Sequence, residues 1–145
     1  MSQTDSRRDV TSVVDRETES FIKKDVDLYL STIHPDMVWV WPPSTTSHDP
    51  IDWVMPLGRF DRERWGDYFK SFFAKYELIY NDRNIKRIDI TAQNDGAFAV
   101  VDVDTRWKSS SGDELHWLGR IGKTYTLKNN RWMMIAQFGP VELTL

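Results

Sequence analysis

The sequence predicts an α+β fold, three helices packed on one face of a curved antiparallel sheet. Two segments of the first half, around Val10–Phe21 and Trp65–Tyr76, repeat apolar residues at helical spacing. The second half divides instead into β-rich runs separated by turn signals: Asn94-Asp95-Gly96, Ser109-Ser110-Ser111-Gly112 and Asn129-Asn130. Helices first and strands afterwards is the order of an α+β domain rather than of alternating βα units.

Met1 to about Asp9 is polar, and the first eight residues are expected to be flexible. Val10, Val14, Glu17 and Phe21, with Val13 and Ile22 beside them, predict an amphipathic helix over 8–23. Lys23-Lys24 set cations against the C-terminal end of its dipole. Asp25 caps a short second helix carrying Val26, Tyr29, Leu30 and Ile33, which Pro35 ends. Met37–Trp41 is a β-type run closed by Pro42-Pro43. Residues 44–57, rich in Ser, Thr, Asp and Pro, form a long loop, a length that marks functional lids or disorder. Gly58 closes that loop, and Asp61 caps a third helix with the stripe Trp65, Phe69, Phe72, Phe73 and Tyr76. Residues 78–92 are irregular; strands follow over 97–107, 115–128 and 131–143. No repeat or domain boundary interrupts the chain, so residues 1–145 form one domain.

Composition excludes several functions. The absence of cysteine removes disulfides, thiolate catalysis and cysteine metal sites, and fits a reducing, cytoplasmic location. With 19 Lys+Arg against 22 Asp+Glu, no basic excess points to nucleic acid or an anionic membrane. The longest apolar run is five residues, too short for a membrane span or a signal peptide. Seven Trp in 145 residues is the unusual figure, and aromatics at that density line cores, pockets and interfaces.

The Asn129-Asn130 turn fixes a hairpin register if it is the two-residue type. Leu127 then faces Trp132, Tyr125 faces Met134, Lys123 faces Ala136 and Ile121 faces Phe138. One face carries Trp117, Ile121, Tyr125, Leu127, Trp132, Met134 and Phe138, with Lys123 as its single charge and Ala136 leaving room beside it. Glu17 is the matching anomaly on the first helix. A charge on a buried face must be paired, hydrated or neutralised. Two such charges of opposite sign, on elements that pack together, point to a polar pocket in an apolar lining. Asp102 is a third candidate, although Ala99, Val101, Val103, Thr105 and Trp107 form the more apolar face of its strand. The plainer alternatives are a snorkelling Lys123, a marginal Glu17 and a solvated face for Asp102.

Gly122-Lys123-Thr124 is no phosphate loop, because it lies in a strand and lacks the upstream glycine. His34, His48 and His116 have no partners at zinc-ligand spacing, so no metal site is expected. His48, near Asp49 and Asp52 in the long loop, is the one histidine with a site-like setting.

Several short matches share one order. Lys24-Asp25-Val26-Asp27, then Ile33 and Asp36 before Met37–Pro42, form an opening; Gly58 and a helix follow; Gly119-Arg120, Tyr125–Lys128 and Arg131-Trp132 form an ending. In this the chain resembles the nuclear transport factor 2-like superfamily, in its SnoaL-like or ketosteroid-isomerase-like branch, over residues 8–141. The resemblance implies a cone-shaped half-barrel with helices closing one side, a deep apolar pocket and a homodimer through the sheet. It also implies cofactor-free isomerisation, cyclisation, dehydration or hydrolysis of a small hydrophobic molecule, with binding or assembly alone as the alternative. The isomerases' pocket tyrosine, general-base aspartate and protonated acid correspond here to Glu17, Trp41 and, within one residue, Lys123, so that catalytic set is absent. The histidines of many relatives' last strand are replaced by Ala136-Gln137-Phe138. The residues expected to act are therefore Glu17 and Lys123, with Asp102 orienting the lysine. Lys123 would hold a substrate carboxylate or a developing enolate. Trp39, Trp41, Trp65, Trp117, Tyr125 and Phe138 would line the ligand site, and Trp53 and His48 would serve as lid residues on the inserted loop.

Overall fold

The computed structural model describes residues 2–145; Met1 lies outside the described residues. Helix α1 spans Gln3–Lys23, and so begins five residues before the expected start at residue 8. The cause is a capping box: the Ser2 hydroxyl accepts from the Asp5 backbone N–H at 3.1 Å, while the Asp5 carboxylate reaches back to the Ser2 N–H. The Gln3 side-chain amide also donates to the Thr91 carbonyl at 2.8 Å, tying the helix start to the sheet. Val10, Val13, Val14, Glu17 and Phe21 form its buried stripe. Lys24 ends it in the left-handed conformation (φ 55°).

Helix α2 is Val26–Leu30, capped by the Asp25 carboxylate on the Leu28 N–H at 3.0 Å. Its end comes earlier than Pro35, and Ile33 belongs to strand β1 (Ile33–Val40). The Thr32 hydroxyl donates to the Tyr29 carbonyl at 2.7 Å, taking up a carbonyl the helix leaves free. Pro35 falls where the β1 register shifts, a place that tolerates a missing backbone donor. The 42–57 segment folds as an excursion held by the Trp41–Val54 and Val38–Arg59 bridges, with one 3₁₀ turn at Pro50–Asp52. Helix α3 (Arg62–Lys75) follows, its Asp61 cap accepting from the Arg64 N–H at 2.8 Å.

Strands β2 (Tyr76–Ile90), β3 (Gly96–Ser109), β4 (Glu114–Lys128), β5 (Arg131–Phe138) and β6 (Val141–Thr144) complete the chain. The sheet order is β1-β5-β4-β3-β2, with β6 pairing to β4 beyond the end of β5. It is curved and unclosed, with the helices on its inner face. The sheet is mixed rather than wholly antiparallel, because β1 runs parallel to β5. No hairpin joins those two strands; α3 and three strands intervene, and a long connection permits parallel pairing.

The segment expected to be irregular is the continuous strand β2. Register shifts between Leu78 and Tyr80 and between Ile85 and Arg87 break its period of two, which hid the strand. The β4–β5 turn is the two-residue type, with Asn129 and Asn130 both left-handed (φ 53° and 61°). Leu127–Trp132 and Tyr125–Met134 pair as the turn dictates. Beyond them a bulge shifts β5 by one residue, so Lys123 faces Gln137 and Gly122 faces Phe138. That slip turns Gln137 inward and Phe138 outward. The expected final strand over 131–143 is also broken, at Gly139-Pro140.

Candidate functional site

Three elements converge on one buried ionic cluster. Glu17 comes from the α1 stripe, Lys123 from the inward face of β4 and Arg83 from β2. Lys123 Nζ donates to Glu17 Oε1, and Arg83 Nη1 donates to the same oxygen at 3.2 Å. The side chains of Lys123, Glu17 and Arg83 are 1%, 2% and 7% exposed. The Arg83 guanidinium also lies over the Phe21 ring, 5.2 Å from its centroid. A brace holds Arg83 in place: its Nε donates to Asn81 Oδ1 at 2.9 Å, and Asn81 Oδ1 also accepts from Thr105 at 2.7 Å.

The electrostatics are unusual. Burial pushes the Lys123 amine down to about 8, Glu17 opposes that fall and the Arg83 charge adds to it. Burial likewise lowers Arg83 and raises the Tyr29 and Tyr125 phenols, which stay neutral donors. Glu17 Oε2, the Tyr29 hydroxyl and the Tyr125 hydroxyl are buried with no hydrogen-bond partner. Buried polar atoms left without partners mark places where the folded chain alone does not complete a network.

Aromatic side chains fill the cone beyond the cluster. Phe21 meets Trp117 edge-on at 5.6 Å and Trp107 at 6.4 Å, and Trp117 in turn packs on Phe72 and Trp39. The outer end of this chain is a slot of about 10 Å³ lined by Trp39, Trp41, Tyr68, Trp117, Pro140 and Glu142. Trp117 Nε1 donates to Glu142 Oε2 across it at 2.8 Å. Burial, with Glu142 beside it, pushes the Tyr68 hydroxyl up to about 12. Such a slot holds at most one water. A wider hollow, about 530 Å³, lies against β2, β3 and β4, bordered by Asp82, Arg83, Asp102, Asp104 and Gly119.

The expected residues separate accordingly. Glu17, Lys123 and Tyr125 come together. Trp39, Trp41 and Trp117 line the slot, with Trp39 Nε1 fixed on the Gly139 carbonyl at 2.7 Å. Asp102 does not orient Lys123: it points from the other face of β3 and binds Arg120 at 2.8 and 3.1 Å. Phe138 is 41% exposed on that same outer face, because of the β5 bulge. Trp65 is buried elsewhere, its Nε1 donating to the Leu57 carbonyl at 3.1 Å, where it anchors the end of the 42–57 segment. Trp53 Nε1 donates within that segment to the Ser47 carbonyl at 2.8 Å, and His48 is exposed on it. Ala136 leaves no room beside Lys123, since Gln137 stands opposite.

Arg83 was not among the expected residues, yet a signal existed. Stepping back by two from Ile85 places Arg83 and Asn81 on the inward face. Among the described residues no group of three His, Cys, Asp or Glu side chains is arranged to hold a metal ion. His116 instead pairs with Asp104 at 2.6 Å, and the Tyr80 hydroxyl donates to the same carboxylate oxygen at 2.9 Å.

No protein-family model matches the sequence, and no curated protein matches it either. Solved structures do. A conserved protein from Planctomyces limnophilus superposes with a TM-score of 0.74 at 14% identity, covering 99% of this chain and 100% of its own. A hexachlorocyclohexane dehydrochlorinase gives 0.68 at 15% identity, covering 99% and 90%. A ketosteroid isomerase-like protein from Erwinia carotovora gives 0.66 at 10% identity, covering 95% and 96%. At these identities the likeness establishes the fold, which is the nuclear transport factor 2-like α+β cone.

Proposed function

We propose that the chain binds a small hydrophobic molecule in its cone and moves a proton on it without a cofactor, as an isomerase, cyclase, dehydratase or hydrolase. One observation carries this reading. Lys123 is wholly buried and shares the Glu17 carboxylate oxygen with a second cation, Arg83, and burial pushes its amine down to about 8. An amine with that pKa has both its acid and its base form available close to neutrality, as proton transfer requires. Glu17 holds it in position and offers Oε2 as a second acceptor. The structural likeness to a dehydrochlorinase and to an isomerase-like protein agrees with such chemistry. The cysteine-free chain suits a cytoplasmic setting.

The test is a thermal-shift screen of wild type and Lys123→Met against small carboxylates, lactones, polyketide-like aromatics and steroids. Compounds that stabilise wild type alone support the reading and name the substrates to assay. Identical responses of the two proteins, or none at all, overturn it.

A second reading, a non-catalytic binder or accessory subunit, draws on the outer sheet face, where Phe98, Leu118 and Phe138 are 37%, 41% and 41% exposed. The same face is where we propose that the chain forms a homodimer.

A further inference from the structure

We infer that the ligand of the cone is a small organic monoanion, such as a carboxylate, gripped by Arg83 and Lys123. This rests on the reading that the cone interior is a small-molecule site. The charge count is the first support. Two cations converge on a single carboxylate oxygen, Glu17 Oε1, so the cluster with Lys123 protonated carries one excess positive charge, with Glu17 and Lys123 buried and the Arg83 side chain 7% exposed. An anion cancels that excess, a neutral molecule leaves it and a cation adds to it.

Unused donors are the second support. Lys123 spends one of its three donors on Glu17. Arg83 spends Nε on Asn81 and Nη1 on Glu17, leaving Nη2 uncommitted within the chain. The guanidinium is thereby fixed in orientation before any ligand arrives, which lowers the cost of binding. The Tyr29 and Tyr125 hydroxyls add two buried donors without acceptors, and both phenols feel the Glu17 and Arg83 charges. Such a surplus of donors calls for an acceptor-only group, and an ionised carboxylate is one. The adjoining Phe21 and Trp117 rings supply apolar contact for the body of such an acid.

The experiment pairs carboxylates with their neutral amides, from acetate to phenylacetate and decanoate, and adds phenethylamine as the cation. Calorimetry on the full chain gives affinities, and amide NMR signals of Ile121–Tyr125 report where each compound sits. The expected result is that carboxylates bind about 10- to 100-fold more tightly than their amides. Arg83→Met removes that preference and Arg83→Lys keeps part of it, while phenethylamine does not bind. If amides bind as well as carboxylates and move the Ile121–Tyr125 signals, the monoanion inference fails and the small-molecule site stands. If no compound moves those signals, both fail. Should Arg83→Met not fold, the carboxylate–amide ratio on wild type decides alone.

Discussion

Lys123 and Glu17, 106 positions apart, meet in the interior of the cone through a single hydrogen-bonded ion pair. The pair joins α1 to β4, the helix closing the cone to a central strand of its wall. Neither charge reaches solvent, so each depends on the other for what water would otherwise supply. Arg83 makes the arrangement asymmetric, since two cations draw on one carboxylate.

Removing the shared anion is therefore the harshest single change. Glu17→Gln leaves Arg83 and Lys123 buried together without a counter-charge, and should lower unfolding stability by about 3–5 kcal/mol. Adding Lys123→Met to it removes one stranded cation and should restore part of the loss. Urea unfolding of wild type, the single variants and the double variant measures the coupling. Equal losses in the single and double variants would show that the lysine contributes nothing to the penalty.

The pH dependence has a defined sign. The Lys123 amine titrates near 8 in the fold and near 10.5 unfolded, so the unfolded chain binds more protons between those values. Stability of wild type relative to Lys123→Met should rise as pH climbs from about 8 toward 10.5, and be flat below. The charged groups acting on Lys123 are Glu17 and Arg83, which also act on the Tyr29 and Tyr125 phenols. Tyr29 and Tyr125, raised by burial, act oppositely above pH 10, but they are present in both proteins and drop out of the comparison. Paired urea curves at pH 7, 9 and 10 check it; a constant difference would mean that Lys123 titrates as an exposed amine.

The helices and turns of this fold are legible locally because their signals are local. Asp25 and Asp61 cap their helices through their own side chains, and Asn129-Asn130 sets its turn through two left-handed residues. Periodicity likewise singled out Glu17 and Lys123, since each is a charge on an otherwise apolar face. What the sequence hid lies beyond bulges. One extra residue in β5 reversed the faces of Gln137 and Phe138, and the two shifts in β2 disguised the strand that carries Arg83. The parallel pairing of β1 with β5 depends on a contact between the two ends of the chain, for which no local pattern exists.

Asp102 provides the control for the face assignment. It pairs with Arg120 on the exposed side of the sheet, a setting in which an ion pair adds little to stability. Asp102→Asn should leave stability nearly unchanged and leave the ligand-induced thermal shift intact. A loss of ligand response comparable to that of Lys123→Met would return Asp102 to the site and contradict the β3 register.

The outer sheet face yields the last prediction. Phe98 and Phe138 flank Gly122, where a side chain would bring its Cβ within 3.0 Å of the Phe98 ring, so the glycine lets both aromatics lie along the sheet. With Leu118 they form exposed apolar surface of the kind that marks contact sites. If the homodimer forms through this face, Phe138→Glu sets two carboxylates near the symmetry axis, where burial and like charge oppose association. The substitution should convert dimer to monomer in light scattering after size exclusion, with the far-UV circular dichroism unchanged because Phe138 lies outside the core. Lys123→Met, on the inner face, should leave the oligomeric state as it is. A dimer that survives Phe138→Glu, or a wild-type monomer across the micromolar range, would remove the sheet face from the interface.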